Sequence, residues 1–208
     1  MSDINKLSFD NRNNFIIMEK KICGIFLKTD RLTIRPVQHS DFETWCNAYR
    51  KQRKPENLFD TMRISKDSLF QTNFENFADN IKAGIKNDKD YRLFIFLNDS
   101  GELIGTVAAN DISRGIFQNS YIGYALLNNY WGCGFATEAL RVFIPYCFDR
   151  LRLHRLEAGI EEDNISSIRL VSKLGFRYEG RSERRLFLRN EWQDMLVYAL
   201  TREEYENN

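Results

Sequence analysis

Residues 129–140, NYWGCGFATEAL, place Gly132 and Gly134 at the entrance of a helical stretch. The first N–H groups of a helix have no internal partner and sit at the positive end of its dipole. Glycines let an anion approach that backbone with no Cβ in the way. The segment lacks the Lys-Ser/Thr of a nucleoside-triphosphate loop. It also lacks the third glycine and the βαβ context of a dinucleotide fingerprint. Taken alone it reads either as an anion cradle or as a tight strand-to-helix turn. Cys133 lies inside this turn with no histidine close in sequence to activate it. It is read as a donor of its backbone N–H, not of its sulfur. Asn164, followed by Ser167, opens a second helical stretch, and an Asn there caps free N–H groups. Carboxylates able to take up a proton are Glu161, Glu162 and Asp163, with Asp111 and Glu183; a solvated charge run is the plainer reading of the first three. Glu138, inside the glycine-led helix, reads as structural. The four cysteines, Cys23, Cys46, Cys133 and Cys147, form no C-x-x-C pair, and only His39 and His154 could join them. No metal site is expected, and the thiols read as reduced and mostly buried.

The elements that must position these residues follow from periodicity. "RLTIRPV" (31–37) alternates as a strand ended by Pro36. Ser40 and Glu43 form a capping-box pattern, so a helix should begin near Asp41, with Phe42, Trp45, Cys46 and Tyr49 on one face. Residues 65–86 repeat Leu69, Phe70, Phe74, Phe77, Ile81 and Ile85 at helical steps and read as a core-facing helix. The period then changes: 91–98, 103–113 and 119–127 read as a meander of strands. The glycine-led helix runs to about Arg150, 154–160 is a strand, and Asn164 opens a helix closed by Gly175. Two strands around Arg189-Asn190 end the chain. Strands and helices in this order imply an α/β domain with a mixed sheet.

Thirty Lys+Arg against 29 Asp+Glu give a net charge of +1, far from the basic balance of a nucleic-acid binder. No apolar run approaches the roughly 20 residues of a membrane span. The polar start carries no apolar signal region, so a cytoplasmic protein is expected. Residues 1–14 are expected to be a disordered tail, and 15–208 a single domain.

The pairing of "WGCGFATEAL" with the downstream "NISSIRLVSKLGF" (164–176) resembles the GNAT superfamily of acetyl-CoA-dependent N-acetyltransferases. "TDRLTIRPV", "RGIFQNSYIGYALL", the "YEG" after Arg177 and the closing "EWQDMLVYAL" are most similar to its ribosomal-protein-alanine (RimJ/RimL) group. That resemblance implies the acyl-CoA N-acyltransferase fold, a mixed α+β sheet with splayed central strands and about four helices. It implies acetyl-CoA as co-substrate and no metal. The pyrophosphate would sit on the N–H groups of Gly132, Cys133, Gly134, Phe135, Ala136 and Thr137, beside Trp131. The pantetheine arm would add to the strand edge Tyr124–Leu127, at Ala125, Leu126 and Leu127. Asn164 would bond the pantetheine amides while capping its helix. Ser167 would protonate the departing sulfur, because the position where many relatives carry an acidic Tyr is Val171 here. The strand position where some N-terminal acetyltransferases carry a Glu is Gly159, and the RimL-type Glu aligns roughly with Leu186, so neither base is present.

An α-amine has a pKa of about 7.7–8.0 against about 10.4 for Lys, so roughly a tenth of it is already neutral at pH 7. It needs only weak help, with Glu161 among the candidate bases. The expected reaction is direct acetyl transfer in a ternary complex to a peptide N-terminus, with a ribosomal protein as the implied target. The alternatives are a small amine acceptor (aminoglycoside or polyamine) and a non-catalytic CoA-binding or ribosome-assembly module. No nucleic-acid or membrane partner is expected, and a monomer and a homodimer are equally open.

Overall fold

The computed structural model describes residues 8–9, 15–16, 24–60, 62, 64–65 and 69–207. Strands β1 (Ser8–Phe9) and β2 (Phe15–Ile16) pair antiparallel in a small sheet of their own. Apart from Ser8–Phe9, the expected tail over residues 1–14 lies outside the described residues. Eight further strands form one mixed sheet. They are β3 (Leu27–Lys28), β4 (Leu32–Arg35), β5 (Tyr91–Leu97), β6 (Leu103–Ser113), β7 (Asn119–Leu126), β8 (Arg155–Ile160), β9 (Arg177–Leu188) and β10 (Glu191–Thr201). Their order across the sheet is β3-β4-β5-β6-β7-β8-β10-β9. The α-helices are α1 (Phe42–Arg50), α2 (Gln71–Lys86), α3 (Phe135–Asp149), α4 (Ile165–Lys173) and the short closing α5 (Arg202–Asn207).

Strands β7 and β8 run parallel, a step that demands a crossover, and α3 supplies it. Their ladder joins Asn119–Tyr121 to Arg155–Glu157, the first three residues of each strand. The β9–β10 hairpin closes on Arg189 (φ 53°) and Asn190 (φ 64°), both left-handed as a two-residue primed turn requires.

The chain divides into two compact units, Met1–Ala108 with Tyr124–Ile144, and Ala109–Gly123 with Pro145–Asn208. In the first, α1 and α2 build a core with β5. Trp45, Cys46, Phe74, Ala78 and Ile81 are buried with Phe94 and Phe96. The ring of Trp45 lies 5.0 Å from Phe74, and Phe77 meets Phe94 edge-on at 5.9 Å. The aromatic stripe read from the sequence therefore faces the core, but helix α2 begins at Gln71, later than expected. Phe70 is extended (φ −105°, ψ 144°) and 61% exposed. Its side chain offers no acceptor for the free N–H groups, so periodicity carried past the true start. The capping box also moves. Asp41, not Glu43, accepts the N–H of Gln38 at 2.8 Å, and a 3-10 turn (His39–Asp41) precedes α1. Arg35 donates to both oxygens of Asp41 at 2.7 and 2.8 Å, which holds that carboxylate at the helix entrance.

In the second unit, Leu156, Ala158 and Ile160 of β8, Val171 of α4 and Met195, Ala199 and Leu200 of β10 are buried. Helix α4 ends as a Schellman motif: Phe176 N–H donates to Val171 O and Gly175 N–H to Ser172 O, both at 3.1 Å, with Gly175 at φ 90°.

Candidate active site

In the first unit the site begins where β6 meets β7. A Cβ on Gly105 would stand 2.4 Å from the carbonyl oxygen of Ala125 and 2.5 Å from Leu126 Cδ2. Only glycine permits that approach. Leu127 is buried, and its N–H donates to Ile104 O at 2.8 Å. The indole N–H of Trp131 donates to Leu126 O at 2.9 Å. A 3-10 turn (Asn128–Tyr130) carries the chain from the strand to the glycines. Buried Asn128 fixes that turn by donating to Lys54 O at 2.8 Å and Asp60 Oδ2 at 3.0 Å. Tyr130 donates to Glu102, whose carboxyl the Lys51 ammonium at 2.8 Å holds below its ordinary range.

Gly132 (φ 74°) and Gly134 (φ 81°) both occupy the left-handed region, where a side chain is strained. Helix α3 starts at once, and its first turn-closing bond runs from Glu138 N–H to Gly134 O at 3.1 Å. The N–H groups of Phe135, Ala136 and Thr137 precede that bond, so no helical carbonyl is available to them. Glu138 points its carboxylate at Thr29 and Arg31. It accepts from Thr29 Oγ1 at 2.5 Å, from the Arg31 backbone N–H at 3.2 Å and from Arg31 Nε at 2.7 Å. The same guanidinium donates to Cys133 O at 3.2 Å and lies 4.3 Å above the ring of Phe135. Cys133 itself is exposed.

In the second unit Asn164 caps α4. Its Oδ1 accepts from Ser167 N–H at 3.2 Å and from Ser166 Oγ at 3.0 Å. Val171 is wholly buried and belongs to the core. The candidate base Glu161 takes hydrogen bonds from both terminal nitrogens of Arg189, on Oε1 at 3.1 Å and on Oε2. Glu162 is largely exposed, 3.6 Å from Arg181. Asp111 sits on β6 at φ 52°.

Residues 31–177 match the family described as "Acetyltransferase (GNAT) domain". The chain belongs to the GNAT family. As a member it is an acetyl-CoA-dependent N-acetyltransferase, and its mixed sheet is the GNAT fold. It is 30% identical to the "Probable N-acetyltransferase YjcK" of Bacillus subtilis over 84% of this chain and 96% of that one. It is 27% identical to the "[Ribosomal protein uS5]-alanine N-acetyltransferase" of Escherichia coli, over 84% of this chain and 90% of the other. Among solved structures it is similar to Mycobacterium smegmatis RimJ in complex with CoA-disulfide. There the TM-score is 0.70, with 27% identity and 83% of each chain covered.

Of the GNAT residues expected from the sequence, Ala125, Leu126, Leu127 and Trp131 through Thr137 come together in one continuous piece of the first unit. Asn164, Ser167 and Glu161 lie in the second. Three contacts were not read from the sequence. Gly105 had a usable signal, since a glycine inside a strand marks close backbone approach. Arg31 had none, because its partner Glu138 is 107 residues away. Glu157 on β8 had none either: Arg155 Nε at 2.9 Å and Asn119 Nδ2 at 3.3 Å hold it. Among the described residues no group of three or more His, Cys, Asp or Glu side chains is arranged to hold a metal ion, and no helix is long and apolar enough to cross a membrane.

Proposed function

We propose that residues 15–208 act as one domain transferring acetyl from acetyl-CoA to the α-amine of a peptide N-terminus, with a ribosomal protein as the target. The turn of Gly132 and Gly134 carries this reading, since two left-handed glycines open a 15-residue helix whose first N–H groups have no helical acceptor. In the assigned roles, the N–H groups from Gly132 to Thr137 hold the pyrophosphate of the co-substrate. The edge at Ala125, Leu126 and Leu127 takes the pantetheine amides. Asn164, the cap of α4, is assigned a contact to a pantetheine amide. The neutral amine attacks the thioester carbonyl, the C–N bond forms, the C–S bond breaks, and Ser167 Oγ–H delivers a proton to the sulfur while water returns a proton to the Oγ. The ammonium proton leaves through water. Glu161, held by Arg189, is the carboxylate assigned to receive it. Orientation of amine against thioester supplies most of the rate. The similarity to an enzyme named for alanine at a ribosomal-protein N-terminus, and to RimJ, supports the choice of acceptor.

A panel of purified acceptors tests it, with CoA release as the readout. Peptides starting in Ala or Ser are expected to turn over faster than N-blocked lysine peptides, spermidine or an aminoglycoside. Faster turnover of a small polyamine would move the acceptor to that class. Acetyl-CoA binding with no CoA release from any amine would leave a binding module.

A further inference from the structure

The entrance of α3 carries a contradiction. It is built to attract an anion, yet Glu138 places a carboxylate in the helix's first turn. A free carboxylate there would compete for the same N–H field and repel a pyrophosphate a few ångströms away. Arg31 resolves this. Its guanidinium meets Glu138 through Nε at 2.7 Å and Nη2 at 2.5 Å, and donates through Nη1 to Cys133 O at 3.2 Å. A Cβ on Gly134 would stand 3.7 Å from Arg31 Nη2, so the cation lies against the turn itself. The side chain is half exposed, and the planar group stacks on Phe135, the first residue of the helix. One side chain therefore cancels the carboxylate, ties down the carbonyl between the two glycines and rests on the first helical ring. A carbonyl drawn toward Arg31 orients its peptide plane, whose N–H belongs to Gly134.

We infer that Arg31 is a positioning residue that turns the α3 entrance into an anion site, by neutralising Glu138 and fixing the carbonyl of Cys133. This rests on the reading of the glycine turn as the pyrophosphate site. Lysine would not replace it, because a point charge cannot fork between a carboxylate and a carbonyl.

The test is acetyl-CoA binding by calorimetry, beside steady-state kinetics, for wild type, Arg31→Gln, Arg31→Lys and the double variant Arg31→Gln/Glu138→Gln. Arg31→Gln should weaken binding about tenfold or more, with the loss in KM for acetyl-CoA and not in kcat. Arg31→Lys should fall between the two. The double variant should recover a clear part of the loss, because the repelling charge is gone, and the Arg31→Gln defect should shrink in high salt. A purely structural role would lower the melting temperature and kcat together, and the second substitution would not restore affinity. Unchanged affinity in Arg31→Gln, or a double variant no better than the single one, overturns the inference. Wild-type protein that fails to bind acetyl-CoA overturns the reading of the turn and this inference with it; wild-type binding with an unaffected Arg31→Gln overturns the inference alone.

Discussion

Ser167 contributes a backbone group and a side-chain group to different tasks. Its N–H completes the cap of α4 on Asn164, and any residue but proline supplies that N–H. Its hydroxyl is the part assigned to the leaving sulfur. Ser167→Ala is expected to lower kcat by about a hundredfold, the usual size of a proton-transfer contribution, and to weaken acetyl-CoA binding far less. Paired binding and rate measurements check this, and an unaltered kcat would remove the role. Two of the described cysteines show the opposite case, where a reactive type has no reactive setting. Burial pushes the thiols of Cys46 and Cys147 up, away from thiolate, and Cys133 is exposed in the turn with its Sγ 3.5 Å from Trp131 O.

At the scale of elements, two strands and a helix entrance make the proposed cradle, and each depends on backbone conformations that few residues tolerate. The clearest case is the β6–β7 contact. A methyl on Gly105 has no room against Ala125 O at 2.4 Å, and its neighbour there is backbone that cannot swing aside. Gly105→Ala is expected to cost about 1–3 kcal/mol of stability, read as a lower urea midpoint. Since the displaced segment is Ala125–Leu126, acetyl-CoA affinity should fall with it. The glycine-led turn and the Asn164–Gly175 helix were legible in the sequence because their signals are local. Capping, left-handed closure and glycine spacing act within a few residues of one another. The start of α2 was not legible: the apolar stripe continues through Leu69 and Phe70, and periodicity alone does not say where the backbone stops being helical. The capping box was misread for a related reason. Ser40 and Glu43 satisfy the pattern, but Arg35 fixes Asp41 at the entrance, and that arginine stacks at 4.2 Å on Phe96 of β5.

At the scale of the molecule, charge networks bind distant parts of the chain. In the second unit Arg155 pairs with Glu157 and Glu179, and Arg177 with Glu179 and Glu204. Hydrogen bonds from Arg155 hold the Glu179 carboxyl below its ordinary range; the Thr201 N–H, with Arg177, does the same for Glu204. Both folded values lie below the unfolded one. Their contribution is therefore complete above an unfolded pKa of about 4.3 and is lost as the pH falls through the folded values. Urea midpoints measured from about pH 6 down to about pH 3 should drop steeply at the acid end. Glu179→Gln should be less stable than wild type at neutral pH and lose that difference in acid. A gap that stays constant with pH would exclude this linkage.

The sequence by itself determined the family, the order of strands and helices from β4 to β10, and the glycine-led turn, because each rests on short-range backbone demands and on motifs written in consecutive residues. Only the tertiary structure decided which charges meet. It set Arg31 of one strand's approach against Glu138 in the first turn of α3, and it engaged Glu161 with Arg189. Ion pairing between residues many positions apart depends on where the fold brings them, and composition and spacing along the chain hold no record of that distance.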